Sequence, residues 1–172
     1  MKHGPRYHVK PRRQRQHRTD YRRRLRLLKS RKIRIVVRKS LKQTRVQFVE
    51  YHPTGDTILA SAVSSELTHM KWKHSVSTTP AAYLTGYLAG TRAVAQGVEE
   101  GILDIGRGVP TRGSKVFAAL QGVLDAGVTC PHDETMLPSE ERVNGTHLKK
   151  DIASQVETVK KSITEAKNNG AE

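Results

Sequence analysis

The sequence predicts a mixed α/β domain with a basic N-terminal arm and an amphipathic C-terminal helix, and three observations predict it. Three period-two apolar segments between residues 33 and 63 are followed by helix, strand and helix patterns, giving the order β-β-β-α-β-α. Charge is segregated: residues 1–45 hold 19 of the 31 Lys and Arg and one acid, a net +18, whereas residues 46–172 hold 12 bases and 15 acids, a net −3. Apolar residues are 35% of the chain, below the roughly 45–50% usual for a globular protein. Part of the chain is therefore expected to complete its structure against a partner. The natural divisions are 1–30, a basic arm and helix; 31–132, an α/β body; and 133–172, a C-terminal loop and helix.

Residues 1–18 are expected to be extended. Gly4, Pro5 and Pro11 disfavour helix, and repulsion among Arg12, Arg13, Arg15 and Arg18 keeps the segment open until phosphate neutralises it. In TDYRRRLRLLKSRK, Thr19 or Asp20 can cap a helix whose Tyr21, Leu25 and Leu28 fall at i, i+4 and i+7. That stripe is expected to dock the helix and leave Arg22, Arg23, Arg24, Arg26 and Lys29 free for a partner.

Three strands follow. Ile33, Ile35 and Val37 alternate with Arg34 and Arg38; Val46 and Phe48 with Arg45 and Gln47; Ile58, Ala60 and Ala62 with Leu59, Ser61 and Val63. Pro53-Thr54-Gly55-Asp56 supplies the second turn, and residues 64–79 are expected to be loop. A helix then opens at Pro80 with Thr79 as its cap. Its stripe of Ala82, Gly86, Gly90, Ala93 and Gly97 points to close approach of the sheet or of another helix. Residues 102–105 form a short strand, reached from the third by a right-handed crossover. A helix over 114–126 is ended by Gly127. Leu148, Ile152, Val156, Val159 and Ile163 mark a last amphipathic helix that needs a surface to lie on, with NNGAE fraying at its end.

Several function classes fall away. No run approaches 18 apolar residues, so no transmembrane helix is expected, and the basic N-terminus lacks the apolar stretch of a secretory signal. Cys130 alone allows no internal disulfide or Cys-rich zinc module and is expected to be an inert thiol; the sequon at Asn144 is a chance match. The eight histidines form no HxxxH or HExxH pair, so neither metal nor cofactor is expected. The loop at 108–115 resembles a phosphate cradle, but Ser114 precedes Lys115 and Pro110 removes a donor. A helix start with Arg112 and Lys115 suits a single backbone phosphate instead. The strand order suits a ribonuclease-H-like sheet, whose nucleases hold metal with acids on the first and fourth strands. Asp104 lies on the fourth, but the first, residues 33–39, has no acid, so two-metal catalysis lacks its first requirement. Asp104 is expected to accept hydrogen bonds that orient a loop.

What remains is recognition of polyphosphate. An arm carrying Arg6, Lys10, Arg12, Arg13, Arg15 and Arg18, with Arg34, Arg38 and Lys39 behind it, releases counterions from nucleic acid. Tyr7, His8, His17 and Tyr21 can stack on unpaired bases. Trp72, between Lys71 and Lys73, either stacks likewise or caps the core beneath its loop. No recognition-helix, homeodomain or zinc-finger pattern points to duplex DNA.

Several segments together resemble one family: TDYRRRLRLL (19–28), VVRKS (36–40), GDTILASAVSSEL (55–67), AAYLTGYLAG (81–90), LDIGRGVPTRGSKVFAALQGVLDAG (103–127) and CPH (130–132). They are similar to large-subunit ribosomal protein eighteen, collinearly over roughly residues 12–148, and the sequence after 130 is similar to the archaeal branch. The resemblance implies a ribonuclease-H-like α/β domain without catalytic acids or enzymatic activity, located in the large subunit of the cytoplasmic ribosome. It implies 5S rRNA as ligand of the arm and first helix, with 23S rRNA, ribosomal protein five and other central-protuberance proteins as neighbours. No membrane partner and no homo-oligomer are expected. Carried over by position, RNA contacts fall on Thr19, Asp20, Tyr21 and Arg22, the arginines around them, and Thr111, Arg112, Ser114 and Lys115. The alternative is a ribonuclease-H-like nuclease or another non-ribosomal nucleic-acid-binding protein.

Overall fold

Strand β1 (Arg34–Lys39) lies inside a four-stranded sheet of order β3-β2-β1-β4. The computed structural model describes residues 4–148 and 150–169. Strands β2 (Thr44–Glu50) and β3 (Thr57–Val63) add antiparallel, and β4 (Ile102–Asp104) lies parallel to β1. Register follows the apolar alternation: Ile35 pairs with Phe48 and Val37 with Val46, while Phe48 and Val46 pair onward with Ala60 and Ala62. These six side chains share one face and all are buried. A register shift at Phe48/Val49 breaks the alternation. Ile58, expected inside, is therefore 53% exposed.

Helices α3 (Thr79–Ala95) and α4 (Lys115–Asp125) cover that face, α3 over β2 and β3 and α4 over β1. The small-residue stripe of α3 meets a helix and not the sheet. A Cβ on Gly86 would sit 1.9 Å from the Ala119 carbonyl oxygen, and one on Gly122 would sit 2.1 Å from that of Tyr83. The two backbones touch, which only glycine permits. The cap of α3 is Thr78, whose Oγ1 accepts from the Ala81 N–H at 3.4 Å, so Pro80 takes the second helical position. Residues Ser64–Met70, expected as loop, form a 3-10 helix in which Glu66 accepts from the Val63 N–H at 2.8 Å.

The C-terminal helix α6 (Lys150–Asn169) buries Ile152, Val156, Val159 and Ile163 against α3, the 3-10 helix and the short α5 (Glu140–Asn144). Leu148 falls before the helix and stays exposed. A polar clamp secures α6: the Tyr83 hydroxyl donates to Asp125 at 2.6 Å, and Lys160 Nζ donates to the Tyr83 oxygen at 2.8 Å. Burial, then the bond to Asp125, pushes the Tyr83 hydroxyl above the usual tyrosine range. Helical geometry persists to Asn169, and the rest of the NNGAE end lies outside the described residues.

The arm is not extended throughout. Residues 4–11 are exposed, but α1 (Arg12–Arg15) forms one turn behind Pro11, and Arg13 Nε donates to Thr19 Oγ1 at 2.9 Å. At the N-cap, proline's missing N–H costs the helix nothing, so Pro11 starts this turn.

Candidate nucleic-acid interface

The second helix, α2 (Tyr21–Leu28), is capped by Asp20, whose Oδ1 accepts from the N–H groups of Arg22 and Arg23 at 3.0 and 3.2 Å. It docks on the sheet face opposite α3 and α4, and of the expected stripe only Leu28 turns toward the body. Tyr21 is 38% and Leu25 57% exposed, while Arg23, Arg24, Leu27 and Leu28 are half-buried on the docked side. The cause lies beneath the helix. On β1, Arg34 and Arg38 alternate with the core residues and so face α2, and carboxylates surround them.

Those carboxylates make a ladder. Arg24 Nη2 donates to both oxygens of Asp56 at 2.9 and 2.8 Å. Arg34, 3% exposed, donates to Asp56 at 2.6 Å and to Asp104 at 3.1 Å. Arg38 Nη2 reaches the other Asp104 oxygen at 3.0 Å, and that oxygen also accepts from the Gly106 N–H at 2.7 Å. Arg23 Nη1 closes the set on the Gly106 carbonyl at 3.0 Å. Asp104 thus orients its loop as expected. Burial alone pushes its carboxyl up, but Arg38, the Gly106 N–H and Arg34 hold it below the usual carboxylate range. Asp56 is likewise held low, with Arg24 and Arg34 outweighing burial.

One expected RNA contact, Arg34, is therefore corrected, and three others are also engaged within the protein. Buried Arg34 is held by Asp56 and Asp104 and has no surface left for RNA, whereas Arg23, Arg24 and Arg38 bond a carbonyl or a carboxylate while staying partly exposed, the Arg38 side chain at 45%. Trp72 is also corrected. At 4% exposure it caps the core, with its Nε1 donating to the Ser75 carbonyl at 3.4 Å. No ring face is left there for a base.

The outward side of α2 presents Tyr21, Arg22, Leu25, Arg26 and Lys29, all exposed. Beside it an open cleft of about 750 Å³ is lined by Lys10, Gln14, Arg15, His17, Thr19, Asp20, Arg22, Arg23, Gly106 and Arg107. Arg6, Tyr7, His8, Arg12 and Arg18 are exposed on the same arm. A second cleft, of about 680 Å³, gathers Lys39 at the end of β1, Ser40 and Leu41 of the turn after it, Thr111, Arg112, Gly113 and Ser114 before α4, Lys115 at its start, Thr79, and Arg142 of α5. The sequence did not single out Gln14, Arg107 or Arg142. Arg107 had a legible signal, since it follows the Asp104–Gly106 turn; Arg142 had none. Around Gly113 the backbone donors are occupied: the Gly113 N–H bonds Met136 and the Ser114 N–H bonds Thr111.

Elsewhere, Asp104 is committed to two arginines, and among the described residues no three His, Cys, Asp or Glu converge to hold a metal. Cys130 is buried, and burial pushes its thiol up. No described helix is long and apolar enough to cross a membrane.

The comparisons with known proteins agree with this basic surface. Residues 5–100 match the family described as ribosomal large subunit proteins 60S L5 and 50S L18. The large ribosomal subunit protein uL18 of Haloarcula marismortui is 53% identical over 148 residues, covering 86% of this chain and 79% of that protein. The uL18 of Korarchaeum cryptofilum is 51% identical over 148 residues, 86% of this chain and 76% of its own. That of Natronomonas pharaonis is 48% identical over 157 residues, 91% and 85% respectively. This chain therefore belongs to the family of large-subunit ribosomal proteins 60S L5 and 50S L18, in its archaeal form, and is a structural constituent of the large ribosomal subunit.

Proposed function

We propose that this protein binds 5S rRNA through its arm and the outward face of α2, and helps attach it to 23S rRNA in the central protuberance beside ribosomal protein five and its neighbours. The observation that carries this is the two-sided α2: one side is held to the body by Arg24 on the Asp56 carboxylate and Arg23 on the Gly106 carbonyl, and the other offers Arg22, Arg26, Lys29, Tyr21 and Leu25 to solvent. Cations grip phosphates while the Tyr21 ring and the Leu25 side chain meet exposed nucleotide surfaces. Thr111, Arg112, Ser114, Lys115 and Lys39 line the second cleft and serve as further backbone contacts. The work divides among residues 1–30 as the grip, 31–132 as the platform and 133–172 as the segment that braces α3.

The platform is a ribonuclease-H-like sheet without nuclease chemistry. Its order β3-β2-β1-β4, with three antiparallel strands and β4 parallel to β1, supports that reading, and so does the commitment of Asp104 to Arg34 and Arg38.

Binding to 5S rRNA across salt concentrations tests the grip. If the eight exposed cations Arg6, Lys10, Arg12, Arg15, Arg18, Arg22, Arg26 and Lys29 each neutralise a phosphate, log K falls with log[salt] at a slope of roughly −6 to −7. Deleting residues 1–18 should flatten the slope and weaken binding while the body melts as before. A near-flat dependence for the whole chain would refute the mechanism.

A further inference from the structure

We propose that Asp56 is a positioning residue for RNA binding: a carboxylate that strengthens the protein's hold on a polyanion by orienting α2. The inference rests on the reading of α2 as an RNA-binding helix and goes beyond it. Ordinary electrostatics gives Asp56 the opposite role. Its carboxylate lies in the basic half of the molecule, and a negative charge there repels RNA; removing it should tighten binding.

The geometry argues otherwise. Consecutive residues of α2 reach to opposite sides, Arg24 to Asp56 in the turn before β3 and Arg23 to the Gly106 carbonyl after β4. Two such anchors fix both the height of the helix and its rotation about its own axis. Rotation matters because the outward cations Arg22 and Arg26 are each adjacent in sequence to a docked residue, Arg23 and Leu27. A half-turn would exchange the RNA-facing side for the docked one. The apolar contribution to docking is small, since Leu25 and Tyr21 face solvent and Leu27 and Leu28 are half-buried. Asp56 is itself fixed from below by buried Arg34 at 2.6 Å, which Asp104 holds in turn at 3.1 Å. The anchor is thus rigid while its Arg24 contact stays near the surface, the side chains of Arg24 and Asp56 being 31% and 25% exposed.

The test uses the full chain and 5S rRNA. Asp56→Asn keeps the shape and removes the charge. If the docked orientation falls to about a tenth of the population, apparent affinity falls about tenfold. The salt slope should hold, because the phosphate contacts of the docked form are unchanged. Asp56→Glu should restore most of the affinity. Arg26→Leu is the contrast: it removes an outward cation of the same helix and should reduce the slope by about 0.7–0.9. A merely structural defect would lower the melting temperature in parallel with affinity, so melting is measured on every variant. The proposal is overturned if Asp56→Asn binds as tightly as the parent or tighter, or if its loss of affinity comes with the reduced slope of Arg26→Leu. If Arg26→Leu also leaves binding and slope untouched, the reading of α2 as an RNA-binding helix fails instead, and the two failures are distinguishable.

Discussion

Replacing Gly86 by alanine sets two principles against each other with opposite signs. Helix propensity alone predicts stabilisation, since alanine in a helix interior is favoured over glycine by about 1 kcal/mol. The structure predicts the reverse. The new Cβ would lie 1.9 Å from the Ala119 carbonyl oxygen, 2.7 Å from its carbon and 2.9 Å from its Cα. All three are backbone atoms of α4, so no side chain can rotate away. Reaching ordinary contact at 3.4 Å requires α3 and α4 to separate by about 1.5 Å, opening a close-packed layer that includes Leu84, Leu120 and Val123.

Overpacking of this kind costs about 1–3 kcal/mol, and more where backbone must move. Because backbone must move, the upper end of that range applies, and net of the propensity gain Gly86→Ala should destabilise by about 2 kcal/mol. For a chain of this length that lowers the melting temperature by roughly 4–8 °C. Gly122→Ala, whose Cβ would lie 2.1 Å from the Tyr83 oxygen and 2.7 Å from the Tyr87 nitrogen, should behave alike. The double variant should cost less than the sum, because one separation of the helices relieves both clashes. Gly4→Ala, with nothing within 4 Å, is the control. Urea and thermal unfolding measure all four. A rise in melting temperature for Gly86→Ala would refute the close-approach reasoning outright.

Two further outcomes concern the carboxylate ladder. Arg34→Met should cost about 1.5–3 kcal/mol in urea unfolding, because it strips one of two arginines from buried Asp104, which keeps Arg38 and the Gly106 N–H. Adding Asp104→Leu should recover part of the loss, and a cost below about 1 kcal/mol for Arg34→Met alone would show the buried pair holds little. The second outcome is pH dependence. Asp104 and Asp56 are held below their ordinary value of 3.8 in the folded state, so the stability they confer is complete above that value and is lost as pH falls through it toward their folded values. The stability difference between the parent and Asp104→Asn should therefore be constant from about pH 7 to 5 and shrink below about 4. A difference that persists undiminished at pH 2 would contradict the assignment.

The sheet was legible because its signal is redundant. Ile35, Val37, Val46, Phe48, Ala60 and Ala62 obey one alternation, and each strand checks the register of the next. The C-terminal helix was legible for the same reason, with four of its five stripe residues buried. Ile58 escaped because a register shift leaves no mark in composition. The orientation of α2 escaped for a deeper reason. Stripe analysis assumes that a helix docks by its apolar side, and that holds where the receiving surface is apolar. Here the receiving surface is Arg34, Arg38, Asp56 and Asp104, which come together from β1, the turn before β3, and β4. No periodicity within residues 19–29 can report a surface assembled from three distant segments.

That assembled surface also explains how a +18 segment coexists with a folded body. Among the described residues, Lys32, Arg24, Arg34 and Arg38 are the bases of residues 1–45 that form ion pairs with acids, and their partners are Glu100, Asp56 and Asp104. Three carboxylates cannot neutralise the arm, and their placement shows that they do not serve that end. Asp56 and Asp104 lie beneath the helix and bond Arg24, Arg34 and Arg38, while Glu100 pairs with the exposed Lys32 that follows it. Among the described residues the outward bases Arg22, Arg26 and Lys29 form no ion pair with an acid and keep their attraction for phosphate. A carboxylate scattered along the arm would weaken the long-range field and fix nothing. Concentrated beneath α2, the same charge costs little in attraction at the outward face, because the arginines it pairs with already cancel it locally, and it sets the angle at which the remaining cations meet RNA. The segregation of charge therefore carries two functions, attraction by the unpaired bases and aim by the paired ones. The prediction that Asp56→Asn weakens binding to a polyanion follows from the second alone.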